Sequence, residues 1–154
     1  DHPSPSAFQH LLVDALAVVA AAPSHQVAWV ERHDVVVDEI ALNFDDAFRM
    51  LEGWIEQQLI GEGSVGALRE IDSLFTSMSG PGTSGRWTPS ALSSDQGWNQ
   101  VRRLARRVLI DVTGRWDHPL PDIQVIHDPK PEPWYRRVFG VNVAVVVAWV
   151  ALLG

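Results

Sequence analysis

Trp98, Val101, Leu104, Ala105, Val108, Leu109 and Val112 recur at three- and four-residue spacing in one short stretch of the chain. An α-helix turns once in about 3.6 residues, so this spacing lines up one face of a helix. Gly114 stands just past the last apolar position, where a left-handed residue closes a helix. Ser93 and Gln96 have the spacing of a capping box at its start. Such a helix holds only when its apolar stripe is covered by something else. The fold must supply that cover, and the same period elsewhere in the chain says that other helices do.

Phe8, Leu11, Leu12, Ala15, Leu16 and Val19 follow a second capping-box spacing at Ser6 and Gln9, and Pro23 stops them. Asn43 is read as the cap of a helix whose stripe is Phe44, Ala47, Phe48, Leu51, Ile55 and Leu59. Asp45 and Asp46 fall in its first turn, where the helix dipole favours negative charge, and Gly61 ends it. Ser64 opens a third helix with Leu68, Ile71, Leu74, Phe75 and Met78, closed by Gly80-Pro81. The expected fold is therefore mainly α, a small helical bundle of about four helices near residues 6–22, 44–60, 64–79 and 94–113. Residues 25–42 stay open. Val27, Trp29 and the run Val35-Val36-Val37 favour extended structure around a turn at Glu31-Arg32-His33-Asp34, while a helix fits the same stretch.

After Gly114 the composition changes. Five prolines stand at 119, 121, 129, 131 and 133, which predicts an extended segment with a short strand at 123–126. Residues 138–154 are apolar, with only Asn142 clearly polar. Arg136-Arg137 and Trp134-Tyr135 flank them as they would a membrane anchor, although the stretch is at the short limit for a span. A buried strand or core helix and a tail that packs on a partner are the alternatives. The expected organisation is a helical domain at 1–114, a Pro-rich extension at 115–137 and an apolar segment at 138–154.

A chain of 154 residues with 46% hydrophobic content can bury one core. Seven Trp against one Tyr supply large flat anchors suited to cores and interfaces. The absence of Cys excludes disulfides, thiolate zinc sites and a cysteine nucleophile, and is compatible with the cytoplasm. Residues 11–22 are apolar, but no basic stretch precedes them, so no signal peptide is read there.

Charge is divided unevenly. Residues 1–80 carry 13 acidic against 3 basic side chains, a formal −10, whereas residues 81–154 carry 6 against 9, a formal +3. A field of one sign steers oppositely charged partners. The acidic residues Asp45, Asp46, Glu52 and Glu56 are the candidate surface for a basic protein partner. Arg102, Arg103, Arg106 and Arg107 form two i,i+4 pairs on the last helix and are the candidate anion site. The period predicts Trp98, Leu104 and Val108 buried, with Arg102, Arg103 and Arg106 exposed. The total of −7 argues against nucleic acid.

Signals for catalysis are weak. His33-Asp34, Asp117-His118 and His127-Asp128 lack metal-ligand spacing, no G-x-S-x-G elbow is present, and Gly61-Glu62-Gly63 and Gly80-Pro81-Gly82 read as helix stops. No catalytic residue, metal or cofactor is expected.

Phe44-Asp45-Asp46-Ala47-Phe48, Leu68-x-x-Ile71-Asp72, Met78-Ser79-Gly80, Trp87-Thr88-x-x-Ala91-Leu92 and Trp98-x-x-Val101-Arg102-x-Leu104-Ala105-Arg106 together resemble a class of small helical proteins of high-GC bacteria. Some of these sit beside polymorphic toxin genes and are taken to be immunity proteins. The resemblance spans residues 44–114 and implies a non-enzymatic protein that occludes a cognate toxin. The alternative is an adaptor held to a membrane by residues 138–154.

Overall fold

The computed structural model describes residues 5–123, apart from the side chains of Pro5, Ser6, Phe8 and Gln9. The anchor, core and partner-tail readings of residues 138–154, their flanks at 134–137, His127-Asp128 and the Pro-rich stretch beyond Ile123 lie outside the described residues.

Among the described residues there are seven α-helices and no strand. They are α1 (Pro5–Ala20), α2 (Pro23–Arg32), α3 (Asp38–Phe48), α4 (Leu51–Glu56), α5 (Glu62–Ser77), α6 (Ala91–Ser94) and α7 (Gln96–Thr113), with a 3-10 turn at Ser84–Trp87 before α6. The mainly α class stands, but the number of helices is larger than the four expected, for three local reasons.

First, residues 25–42 are helical. Pro23 does end α1, and it also occupies the start of α2, where its missing N–H costs nothing. The chain bends by 116° between the two helices. Val27 and Trp29 are helical, and α2 stops when Asp34 takes the left-handed conformation at φ 52°. The Val35 N–H then reaches back to the Val30 carbonyl at 3.0 Å, a helix-closing bond made without glycine. The valine run forms only the short link to α3.

Second, the helix expected at 44–60 starts earlier and is broken. Asn43 lies inside α3 rather than capping it, and Asp38 and Glu39 occupy the first turn. Arg49 and Met50 separate α3 from α4. α4 ends before Gly61 because Gln58 turns left-handed at φ 56°, with Leu59 N–H bonded to the Trp54 carbonyl at 3.0 Å. Gly61 instead precedes α5 as its N-cap residue.

Third, Ser93 is part of α6, and α7 is capped by Asp95, whose Oδ1 accepts the Gly97 N–H at 2.7 Å. Gly114 closes α7 as expected, at φ 89°, and its N–H reaches the Ile110 carbonyl at 2.8 Å. Ser6 also falls inside a helix, because α1 begins at Pro5.

α7 packs on both α5 and α1, and α3 packs on α1 and, at fewer points, on α5. Trp98, Val101, Leu104, Ala105, Val108 and Leu109 are buried, as their period requires. Leu68, Ile71 and Phe75 of α5, with Met78 just past its end, belong to the same core as that stripe. Phe75 and Trp98 meet edge to face at 5.4 Å, and Trp87 closes on Trp98 at 5.5 Å. Both indoles are satisfied: Trp87 donates to the Met78 carbonyl at 2.9 Å and Trp98 to the Arg86 carbonyl at 2.8 Å. α1 is buried on all sides from Ala15 to Ala20, whereas Leu11, expected inside, is 44% exposed.

Residues 115–123 have no regular structure and lie against the bundle. Trp116, Leu120 and Ile123 pack on the core. Pro121 accepts a 2.9 Å hydrogen bond from the Trp29 indole, which is itself 3% exposed.

Candidate functional site

α3, α4 and α5 present the acidic face. The helical period of α3 puts Asp46 outward, and α4 does the same for Glu52 and Glu56. Asp45 differs. It is buried, and its Oδ2 accepts a 3.0 Å hydrogen bond from Arg49 one turn on. Glu52 is held across the helix boundary by Arg69 of α5 at 3.0 Å, both side chains remaining exposed. Between these helices runs a groove of about 410 Å³, with Asp45, Glu52 and Asp72 around it, Phe48 and Leu51 supplying apolar wall, and Arg49 and Arg69 at its edge.

Burial holds the Asp72 carboxyl above the ordinary carboxylate range, and the negative charge of Asp45 adds to the effect. Arg49 and Arg69 offset Asp45 and Glu52, which leaves the half-buried Asp72 as the carboxylate of the groove without an arginine beside it in these pairs. A lysine or arginine entering there would gain more than at an open surface. Three of the four expected acidic residues thus remain accessible, and Asp45 becomes part of the groove wall. Asp72, Arg49 and Arg69 were not singled out from the sequence. Asp45 and Arg49 do stand at i,i+4, and Asp72 lies one turn from Leu68, on the edge of the α5 stripe.

The arginine rows of α7 divide. Arg103 and Arg107 are exposed. Arg102, expected outside, is buried at 6% exposure. Its Nε donates to the Ala21 carbonyl at 2.9 Å, Nη1 to Asn99 at 2.8 Å, and Nη2 to both Gln26 Oε1 at 2.8 Å and the Leu92 carbonyl at 2.7 Å. Gln26, fully buried, passes the connection on by donating to the Val18 and Val19 carbonyls at 3.0 and 3.1 Å. Arg106 donates to the Ala20 carbonyl at 2.9 Å and lies over the Trp116 ring, 3.7 Å from its centre. The two guanidinium groups satisfy carbonyls that the end of α1 leaves without helical partners. Burial lowers the affinity of both for their proton, and in Arg102 the charge of Arg106 adds to this. Arg102 and Arg106 thus hold the fold together, and only Arg103 and Arg107 remain as a solvent-facing cationic pair.

The histidine pairs are separate. His33 lies at the end of α2, and His118 Nε2 contacts the Thr113 hydroxyl at 2.7 Å and the Arg115 carbonyl at 2.9 Å. Among the described residues no three His, Asp or Glu side chains converge as metal ligands would. No single helix among them is long and apolar enough to cross a membrane.

No protein-family model, no curated protein and no solved structure matches the chain.

Proposed function

We propose that the chain is a non-enzymatic protein-binding module that engages a basic partner through the acidic face of α3, α4 and α5, most concretely as an immunity protein that occludes a cognate toxin in the cytoplasm. The observation that carries this is the placement of exposed Asp46, Glu52 and Glu56 beside a groove walled by Asp45 and Asp72. Long-range attraction to the face speeds encounter. Docking lets basic partner residues compete with Arg69 for Glu52, while Phe48 and Leu51 give desolvated contact. A toxin that uses basic residues to hold its own substrate loses access to them.

Co-expression with a candidate toxin is the direct test. Growth rescue by the native chain is expected, with loss of rescue in the triple variant Asp46→Lys, Glu52→Lys, Glu56→Lys. A triple variant that folds normally by circular dichroism and still rescues growth sinks the acidic-face assignment. On the purified pair, association should slow by roughly tenfold or more at low salt and lose most of its salt dependence.

A further inference from the structure

The groove between α3, α4 and α5 is lined by five charged side chains, and four of them are paired with one another. Arg49 donates to Asp45 and Arg69 to Glu52, each at 3.0 Å. Asp72 is the fifth, half-buried and in no ion pair among the described residues. The neighbouring charge that acts on it is the negative one of Asp45, in the same direction as its burial. The potential at Asp72 is therefore negative in spite of the two arginines at the rim. One turn further along α5, Thr76 adds a hydroxyl to the same wall, and Phe48 and Leu51 line the groove with carbon. We propose that Asp72 anchors a pocket for a single alkylammonium group, a lysine side chain of the basic partner whose methylenes lie along Phe48 and Leu51. The proposal rests on the acidic-face reading above and names the chemical group that enters.

One uncompensated carboxylate calls for one cation. An anion there meets Asp72 and Asp45 together. A neutral apolar group strips water from a half-buried charge and gives it no partner. An ammonium is a compact head with three donors, which suits the Asp72 carboxylate and the Thr76 hydroxyl on adjoining turns of one helix. Its four-carbon stem buries apolar surface while the head stays polar. A volume of about 410 Å³ holds one such side chain with room to spare. In the free protein the arrangement is unfavourable, because a half-buried carboxylate lies near a second one. A bound cation offsets that repulsion. Removing the Asp72 charge should therefore strengthen the fold and weaken cation binding, two opposite changes that a structural role alone would not produce.

n-Butylammonium chloride, the lysine side chain without its backbone, is the probe, titrated into the full chain at neutral pH and constant ionic strength. Amide NMR shifts at residues 48–52 and 69–76 should saturate with a Kd on the order of 10 mM, the strength of one charge-assisted contact with a short apolar stem. Asp72→Asn should weaken binding about tenfold and raise Tm, whereas Asp72→Glu, which keeps the charge, should stay within about threefold of the native chain. The neutral analogue n-butanol should give no saturable shift there. Asp46→Lys with Glu56→Lys, both outside the groove, should leave butylammonium binding within about threefold even where association with a basic partner is lost. That pair of variants separates failure of the acidic-face reading from failure of the pocket. The pocket is overturned by an absence of saturation in the native chain, by equal affinity in Asp72→Asn, or by equal binding of n-butanol. A loss in Asp72→Glu as large as in Asp72→Asn, or a loss of the probe in the Asp46, Glu56 double variant, overturns it as well.

Discussion

A single arginine ties the ends of four segments together. Arg102 of α7 reaches the end of α1 at Ala21, α2 at Gln26, α6 at Leu92 and its own helix at Asn99. Arg102→Ala leaves those buried acceptors without donors and should cost about 3–5 kcal/mol in a denaturant titration. Arg103→Ala, one residue on but exposed, should cost about 0.5 kcal/mol or less. Similar costs for the two would contradict the burial described. Two carboxylates give a second test, with opposite signs. The hydrogen bonds from Arg86, at 2.8 and 3.0 Å, hold Asp95 below the ordinary carboxylate range. Its stabilisation is present at neutral pH and lost as pH falls through that depressed value. Burial, then Asp45, holds Asp72 high, so its ionisation as pH rises through the raised value weakens the fold. Asp95→Asn should therefore lower Tm at pH near 7 and Asp72→Asn should raise it. Both differences should shrink in acid, as melting curves at two pH values would show.

Helices in this chain end by two routes. Gly114 uses the route glycine makes easy, and Gly114→Ala at φ 89° should cost about 1 kcal/mol. α2 and α4 end at Asp34 and Gln58, left-handed residues that carry a Cβ. Asp tolerates this better than Gln, because its short side chain suits the conformation. Gln58→Gly should stabilise by about 0.5–1 kcal/mol, since relief of the strained backbone exceeds the added freedom of the unfolded chain. A loss of stability in that variant would mean that the Gln58 side chain itself supports the turn. These stops explain why the sequence shows the helix at 62–77 to within a few residues and misplaces the end of α4. Glycine and proline announce a boundary, whereas a left-handed Gln does so only after tertiary packing has forced it.

At the scale of the whole molecule the two halves of the charge pattern have different fates. Asp46, Glu52 and Glu56 stay at the surface while Asp38, Glu39 and Asp45 of α3 are half-buried or buried, and two of the four α7 arginines turn inward against α1. The cationic half is thus less available to a partner than its count suggests. Segment 115–123 completes the bundle by lending Trp116 to Arg106 and Pro121 to Trp29. A chain stopped after Gly114 should lose at least about 1–2 kcal/mol relative to one stopped after Arg137, the sum of one cation–π contact and one hydrogen bond. Equal denaturation midpoints would show that the segment adds nothing to the fold. Comparing the chain stopped after Arg137 with the full chain, without detergent, tests residues 138–154. Membrane association lost with the fold intact is expected if they anchor the protein.

The sequence by itself determined the helical class, the buried stripes of α5 and α7 and the closure at Gly114, because period and glycine chemistry are local properties. It also held an unused signal for Arg102. At about 100° per residue, that position falls only about 40° from Trp98, at the edge of the apolar sector rather than opposite it. What it could not decide was which polar side chains would be taken inward. Arg102 is buried because the carbonyls at the end of α1, Gln26 of α2 and Leu92 of α6 converge on it, and those groups are 81, 76 and 10 residues away along the chain. Asp45 is enclosed because α5 lays Asp72 and Thr76 alongside it. A charged side chain is stable in the interior only where distant segments bring partners to every donor, and that meeting is a property of the tertiary fold.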